Sequence, residues 1–240
     1  MVDIHSHLIF GVDDGACSYD ESLKMLEQAR KQGIRTIFAT PHFHKNVFES
    51  EKAGEYFQEL LWRASDINID IRLGYEVFLN SAEDNVLLNK SRLTLGKSGY
   101  MLVELPLYAG KEAACNIIHN LKLEGITPII AHPEREIRLL NNFYSFLSLV
   151  KAGCLIQVDT ASILGVYGWR IKEFARWIIQ KDMADIIASN AHCPQDYSER
   201  YIKAYNKVVK WTNPECAEKL FKINPGKVVN KKINNIYNAI

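Results

Sequence analysis

His5 and His7 stand one residue apart in the opening stretch MVDIHSHLIFGVDDG, and they are the first residues of this chain that could do chemistry. Val2 to Ile4 begin an apolar strand ahead of them. In extended backbone, residues i and i+2 point to one face, so both imidazoles lean into one space. Asp14 returns to that space on the loop after the strand. Two imidazoles and a carboxylate are half of a divalent-metal site, although hydrogen-bonded core histidines fit the same three residues. The rest of the chain weighs the choice. His42, Glu76, Glu104, His132, Asn190 and His192 each fall at the C-terminal end of an expected strand or just past it. Five of the chain's seven histidines thus gather at strand ends. His44 is a loop residue near this set, and His119 belongs on a helix surface.

Five imidazoles and three carboxylates (Asp14, Glu76 and Glu104), with no cysteine among them, are too many ligands for one tetrahedral ion. A cluster of two or three divalent ions is the economical reading. Nitrogen and oxygen donors without thiolate favour manganese, iron or zinc over soft-metal chemistry. Such a cluster lowers the pKa of a bound water toward ~7 and clamps the oxygens of a phosphoryl displacement. A nucleophilic enzyme is disfavoured: there is no Gly-x-Ser-x-Gly elbow, and no cysteine has an arginine six residues on. Arg135 is the candidate fork for phosphate oxygens, its alternative being a surface ion pair with Glu134. Arg200 is a second, weaker candidate. Asp14, Glu104 and Arg135 are the catalytic candidates, and Phe43, Phe48 and Tyr108 lie on loops where they could wall the mouth of a pocket.

These residues need a frame that collects strand ends. Short buried strands are expected at 2–4, 34–40, 70–78, 100–105, 126–131, 154–160 and 185–189, the last running into Asn190-Ala191-His192. Helical runs alternate with them, at about 18–32, 50–65, 111–124, 143–151, 168–181, 198–210 and 214–222. Ser18 with Glu21 reads as a capping box at the first helix. Strands that alternate with helices argue for an α/β chain with a parallel sheet. Closed into a barrel, such a sheet brings its C-terminal strand ends to one face, where barrels keep their chemistry.

Composition narrows the field. The 240 residues are 48% hydrophobic and 24% charged, ordinary for a globular protein. The net charge of +1 supplies no field for nucleic acid or anionic membrane. A strand at the very start leaves no room for a signal peptide, and no apolar run approaches a membrane span, so no membrane insertion is expected. Five cysteines with no C-x-x-C spacing read as reduced thiols of a cytoplasmic protein.

The motifs HSHLIFGVDDGA, ATPHF, GYEVF, VELP, IAHPER and ASNAH, in this order and spacing, resemble the polymerase-and-histidinol-phosphatase (PHP) superfamily. Within it they are most similar to the bacterial manganese-dependent protein-tyrosine phosphatases of capsular and exopolysaccharide operons. That resemblance covers the whole chain. It implies one PHP-type phosphatase domain over 1–240, a distorted seven-stranded (β/α) barrel with three metals, and metal-activated water as nucleophile. The metal ligands it implies are His5, His7, Asp14, His42, Glu76, Glu104, His132, position 190 and His192, with Arg135 stabilising the transferring phosphoryl group. The implied substrate is phosphotyrosine in the tyrosine-rich tail of a kinase that controls polysaccharide export. At position 190 the family pattern has aspartate where this chain has Asn190, a neutral carbonyl oxygen in place of an anionic one. Two other functions stay open at this point: a histidinol-phosphatase-like enzyme for a small phosphoester, and a metal-poor phosphotyrosine-binding regulator.

Overall fold

The computed structural model describes residues 1–43, 52–78, 90–105 and 110–230. Among the described residues nine short strands run parallel: β1 (Val2–Asp3), β2 (Thr36–Ala39), β3 (His42–Phe43), β4 (Asp70–Leu73), β5 (Glu76–Phe78), β6 (Tyr100–Glu104), β7 (Thr127–Ile130), β8 (Leu155–Asp159) and β9 (Ile186–Ala188). They pair in two sets, β1-β2-β4 and β3-β5-β6-β7-β8-β9.

Seven of these strands answer to the seven expected segments, and two are additional: β3 lies beyond segment 34–40, and segment 70–78 is divided into β4 and β5. The chain leaves the ladder between β2 and β3 at Thr40-Pro41, because proline has no N–H for it. Segment 70–78 breaks at Gly74-Tyr75, where a Cβ on Gly74 would stand 2.5 Å from Leu95 Cδ2 and 3.1 Å from its Cα. Pairing runs on across both breaks. Thr40 N–H donates to Ser6 O at 2.8 Å, Gly74 N–H to Ala39 O at 2.9 Å, and Glu76 N–H to Pro41 O at 3.1 Å. The sheet then curls until its last strand meets its first. Asn190 N–H donates to His5 O (3.0 Å), His7 N–H donates to Ala191 O (2.8 Å), and Ser6 and Ala191 form a parallel bridge. The result is the distorted (β/α) barrel of the PHP type.

Side chains alternate across this curled sheet as a period of two requires. Ile4, Phe38, Leu102, Ile129, Ile186 and Ala188 pack together as one cluster with Leu95 and Val228. Their strand neighbours Ile37, Met101, Val103, Ile130 and Ile187 belong to a second, larger cluster. There they meet helix residues such as Met25, Leu60, Ile118, Leu149 and Ile178. Each such fully buried side chain contributes about 1.5–3 kcal/mol of transfer free energy.

The helices stand close to expectation at Tyr19–Lys31, Ala53–Arg63, Lys111–Leu123, Phe143–Ala152 and Trp169–Gln180. Two details differ. Ser18 caps the first helix, accepting from Glu21 N–H at 3.3 Å, but the Glu21 carboxylate turns away to Cys17 N–H at 2.9 Å, so the reciprocal half of the box is not made. Helix 198–210 starts as a π turn over Tyr197–Tyr201 before the α-helix Ile202–Trp211. Tyr197 and Tyr201, four apart on this turn, are both buried; their hydroxyls donate to Asp3 Oδ2 (2.8 Å) and Val2 O (3.3 Å). Among the described residues no helix is long and apolar enough to cross a membrane, and all five cysteines are free.

Candidate metal centre

Glu76 opens β5, is 1% exposed, and is the residue around which the others gather. Its Oε2 lies 3.2 Å from His5 Nε2, 3.5 Å from His7 Nε2 and 3.0 Å from His42 Nδ1. Its Oε1 is 2.8 Å from His132 Nε2. Asp14 stands outside this group, more than half exposed, with Oδ1 3.5 Å from His42 Nε2 and 3.3 Å from His192 Nδ1. Three sets of donor atoms each fall within 4.8 Å: His5, His7 and Glu76; His7, Asp14 and His42; His42, Glu76 and Glu104. His7, His42 and Glu76 are shared between sets, so the three groups adjoin as one continuous cluster of donor atoms rather than separate sites.

The donors fit metal better than they fit one another. Glu76 Oε2 is buried and has three imidazole nitrogens around it, yet none is aligned to make a hydrogen bond. His5 Nε2 and His7 Nε2 face each other at 3.3 Å, where two N–H groups would collide. Lone pairs converging on an orphaned carboxylate oxygen are what a divalent cation requires. Without metal the same crowding shows in proton affinities. Burial works against a charge on His7, but Asp13 and Glu76 outweigh it and hold its pKa at about 10. Burial likewise opposes charge on His132, while Asp159 and Glu76 raise it to about 9. Burial pushes Glu76 upward, and His5 and His132 bring it well below the ordinary range. Protons thus sit where metal would, and metal must displace them. Affinity for metal should therefore rise with pH up to about 9–10, with protons released into weakly buffered solution as metal is added.

A second layer of side chains orients these donors, and it went unnamed in the sequence. Asp13 Oδ2 accepts from His7 Nδ1 at 2.7 Å and from the His42 N–H at 3.0 Å. The Asp13-Asp14 turn is pressed onto His7 because the next residue is glycine: a Cβ on Gly15 would lie 2.3 Å from both His7 Cβ and His7 O. Gln157 Oε1 lies 3.0 Å from His5 Nδ1, and Gln157 Nε2 donates to Asp159 Oδ1 at 2.8 Å. Asp159 Oδ2 takes Arg135 Nη1 at 3.2 Å and Asn190 Nδ2 at 3.1 Å, and its own N–H donates to Glu134 Oε1 at 2.9 Å. A signal for Gln157 and Asp159 was present: polar residues i and i+2 inside the buried run CLIQVDT, the same alternation that singles out His5 and His7.

Backbone conformation aims two of the motif residues. His132 (φ 32°) and Asn190 (φ 48°) are two of only four non-glycine residues with positive φ among those described. Holding such conformations costs of order 1–3 kcal/mol each, which packing must offset. Asn190 Oδ1 lies 3.2 Å from His192 Nε2, so both can face one ion, while its amide is held by Asp159. Ser189, just before, is fixed by buried Asp3, whose Oδ1 accepts the Ser189 N–H at 2.9 Å and whose Oδ2 accepts its hydroxyl at 2.5 Å.

Arg135 reaches the site on a single turn of helix, Pro133–Arg135, directly after His132. It does not pair with Glu134, which is fully buried beneath Asp159. It binds Asp159 instead, and the ring of Tyr167 lies against its guanidinium at 4.6 Å. Its side chain stays 35% exposed, leaving donors free to face a ligand. Arg200 is tied to Asp196, whose other carboxylate oxygen accepts the N–H groups of His192 (2.8 Å) and Cys193 (3.1 Å). Phe43 is half-buried, with its ring edge on Tyr75 at 5.8 Å. His119 is exposed on its helix, as expected. His44, Phe48 and Tyr108 lie outside the described residues. Burial and Asp196 together raise the Cys193 thiol above its ordinary pKa, the reverse of what a nucleophilic thiolate needs.

Comparison with known proteins gives the family and the fold. The family profile "Capsular polysaccharide synthesis, CpsB/CapC" matches residues 1–230. The chain belongs to the CpsB/CapC family. Tyrosine-protein phosphatase CpsB of Streptococcus pneumoniae is 32% identical over 238 residues, which cover 95% of this chain and 98% of that protein. A solved structure from work on YwqE of Bacillus subtilis and CpsB of Streptococcus pneumoniae, described as unique metal-dependent tyrosine phosphatases, superposes with a TM-score of 0.84 at 28% identity. That match covers 97% of this CpsB/CapC chain and 95% of the solved one. Histidinol phosphate phosphatase of Lactococcus lactis, solved with zinc, L-histidinol and phosphate, superposes at a TM-score of 0.58 over 92% of this chain and 94% of that one. At 12% identity that likeness is one of fold.

Proposed function

We propose that this chain is a metal-dependent protein-tyrosine phosphatase. A single observation carries the reading: the orphaned, buried Glu76 Oε2 ringed by three imidazoles, with exposed guanidinium donors of Arg135 following His132. The ligands would be His5, His7, Asp14, His42, Glu76, Glu104, His132, Asn190 and His192. Bound divalent ions supply Lewis acidity, acidifying water and neutralising phosphoryl charge. The bond from water oxygen to phosphorus forms as the bond from phosphorus to the tyrosine oxygen breaks. A phenol of pKa ~10 leaves without strong general-acid help. Arg135, held by Asp159, faces the charge that gathers on the phosphoryl oxygens, and Asp14 and Glu104 supply carboxylates at the rim. Manganese is the favoured ion, from the nitrogen and oxygen donor set. The substrate we favour is the phosphorylated, tyrosine-rich tail of a kinase governing capsule export, on the family's association with capsular polysaccharide synthesis.

Chelation should abolish phosphotyrosine hydrolysis, and manganese should restore it best. Orthovanadate should inhibit only weakly, and alkylating the cysteines should leave the chemistry intact. Turnover that survives thorough chelation, or is lost on alkylation with the fold retained, would sink the metal mechanism.

Asn190→Asp tests the remaining ligand. The substitution is nearly isosteric, but it replaces an amide that donates to Asp159 at 3.1 Å with a second carboxylate. Without metal, two carboxylates should repel and lower the melting temperature. With metal, the added charge should tighten binding and raise kcat at least ~10-fold, a barrier change of about 1.4 kcal/mol. Metal content, melting curves with and without chelator, and phosphotyrosine turnover decide it. Identical behaviour of both forms would mean that position 190 does not touch metal.

A further inference from the structure

Tyr167 has no part in the metal centre, yet it lies against Arg135, the cation assigned above to grip phosphate. It sits in the turn between the helices Thr160–Leu164 and Trp169–Gln180, and its ring lies 4.6 Å from the Arg135 guanidinium. The ring is not buried by that contact: the residue is 39% exposed. Its neighbours Val166 (50%) and Trp169 (74%) are more exposed still, as is Ile137 (68%), two residues beyond Arg135. The Trp169 helix is tied to the Ile137–Asn141 helix by Arg170 Nη2, which donates to Asn141 Oδ1 at 2.8 Å. Large apolar side chains are thus left in water on both segments flanking Arg135. Scattered single hydrophobics need no explanation, but an exposed aromatic ring in contact with an anion-gripping residue suits a binding surface.

The chemistry of the ligand says what the rim is for. If a phosphate at Arg135 turns its ester group toward the adjacent Tyr167 ring, the ester decides what that ring meets. A phosphotyrosine sends a flat, apolar ring there, and a phosphoserine sends only a methylene. We propose that Tyr167 is the residue that selects aryl over alkyl phosphoesters: its ring fixes Arg135 on one side and offers an aromatic wall to the phosphotyrosine ring. The proposal deepens the phosphatase reading above and rests on it. Aromatic pairs add to affinity beyond simple area burial, and a cation over a ring face is restrained as well as attracted. Removing the ring should therefore cost affinity for aryl ligands specifically and loosen Arg135 for all of them.

The test uses the manganese-loaded full chain as wild type, Tyr167→Phe, Tyr167→Leu and Tyr167→Ala. Calorimetry reads binding of a peptide carrying a non-hydrolysable phosphonate mimic of phosphotyrosine and of its phosphoserine counterpart. Turnover of phosphotyrosine and phosphoserine peptides is measured in parallel, with metal content as control. Tyr167→Ala should weaken the aryl mimic about 10-fold and the alkyl mimic by much less, raising KM for phosphotyrosine peptide more than it lowers kcat. Tyr167→Phe keeps the ring and should behave as wild type. If Tyr167→Ala fails to fold or to hold metal, Tyr167→Leu decides by the same comparison. Equal loss for both mimics would reduce Tyr167 to a support for Arg135 and overturn the proposal, as would no loss at all. A wild type that binds the aryl mimic selectively but hydrolyses no phosphotyrosine would remove the phosphatase reading and leave the wall standing. A wild type that prefers neither mimic overturns the wall whatever its activity.

Discussion

Glu76→Gln should reduce phosphotyrosine turnover at least ~10³-fold, because losing this shared carboxylate should cost about 4 kcal/mol of metal-based stabilisation of the transition state. Glu76 touches His5, His7 and His42 through one oxygen and His132 through the other, so four of the imidazoles depend on it. Metal content should fall with activity. The metal-free chain should also suffer, since a buried anion amid imidazolium groups would become a neutral amide. Breaking a buried ion pair typically costs ~3 kcal/mol or more, which for a domain this size lowers the melting temperature by about 6–12 °C.

The pH dependence of that loss follows from the signs of the shifts. His7 and His132 have pKa values raised from 6.5 to about 10 and about 9. Their contribution is complete below pH 6.5 and is lost as pH rises through about 9–10. Glu76 is depressed below 4.5, so its contribution is present above 4.5 and fades as pH falls through its lower folded value. In chelated protein the difference between wild type and Glu76→Gln should be greatest near pH ~6 and shrink above pH ~10. Melting curves at those two pH values check it. Equal melting temperatures near pH ~6 would mean that Glu76 does not hold the imidazoles together.

Arg135→Ala should lower kcat by ~10²–10³ with metal content unchanged, the usual cost of removing a preorganised donor from developing charge. The geometry sharpens this expectation. With its partner gone, Asp159 keeps Gln157 and Asn190 as donors, so its carboxylate stays hydrogen-bonded and the site should not collapse. Arg135→Lys should recover only part of the loss, because an ammonium cannot serve Asp159 and a phosphoryl oxygen in one planar fork. A drop in kcat without loss of metal separates this role from Glu76; unchanged kinetics would leave Arg135 as a structural partner of Asp159 alone.

The residue types and their periods settled much of this protein. Alternation of two in HSH and of 3.6 in the helices carries the parallel α/β arrangement. The ends of those periods put His5, His7, His42, Glu76, Glu104, His132, Asn190 and His192 on one rim, since backbone period decides which side of an element a residue takes. Donor chemistry then selects metal over thiol, which the raised Cys193 pKa supports.

Spatial neighbours with no fixed sequence separation were decided only by tertiary packing. Glu76 became the hub because β3 and β5 pair in a register that sets His42 beside it. Asp13 and Asp14 are adjacent and alike in sequence. Gly15, pressed against His7, turns the first onto the His7 imidazole and leaves the second facing His42 and His192. The role of Asp159 is not legible in the sequence, because its partners Arg135 and Asn190 lie 24 and 31 residues away and meet it only when the sheet curls. Tyr167 carried no periodic signal at all. A turn residue takes its position from the two helices it joins, and the packing of the Trp169–Gln180 helix beside the Pro133–Arg135 turn is what lays its ring on Arg135.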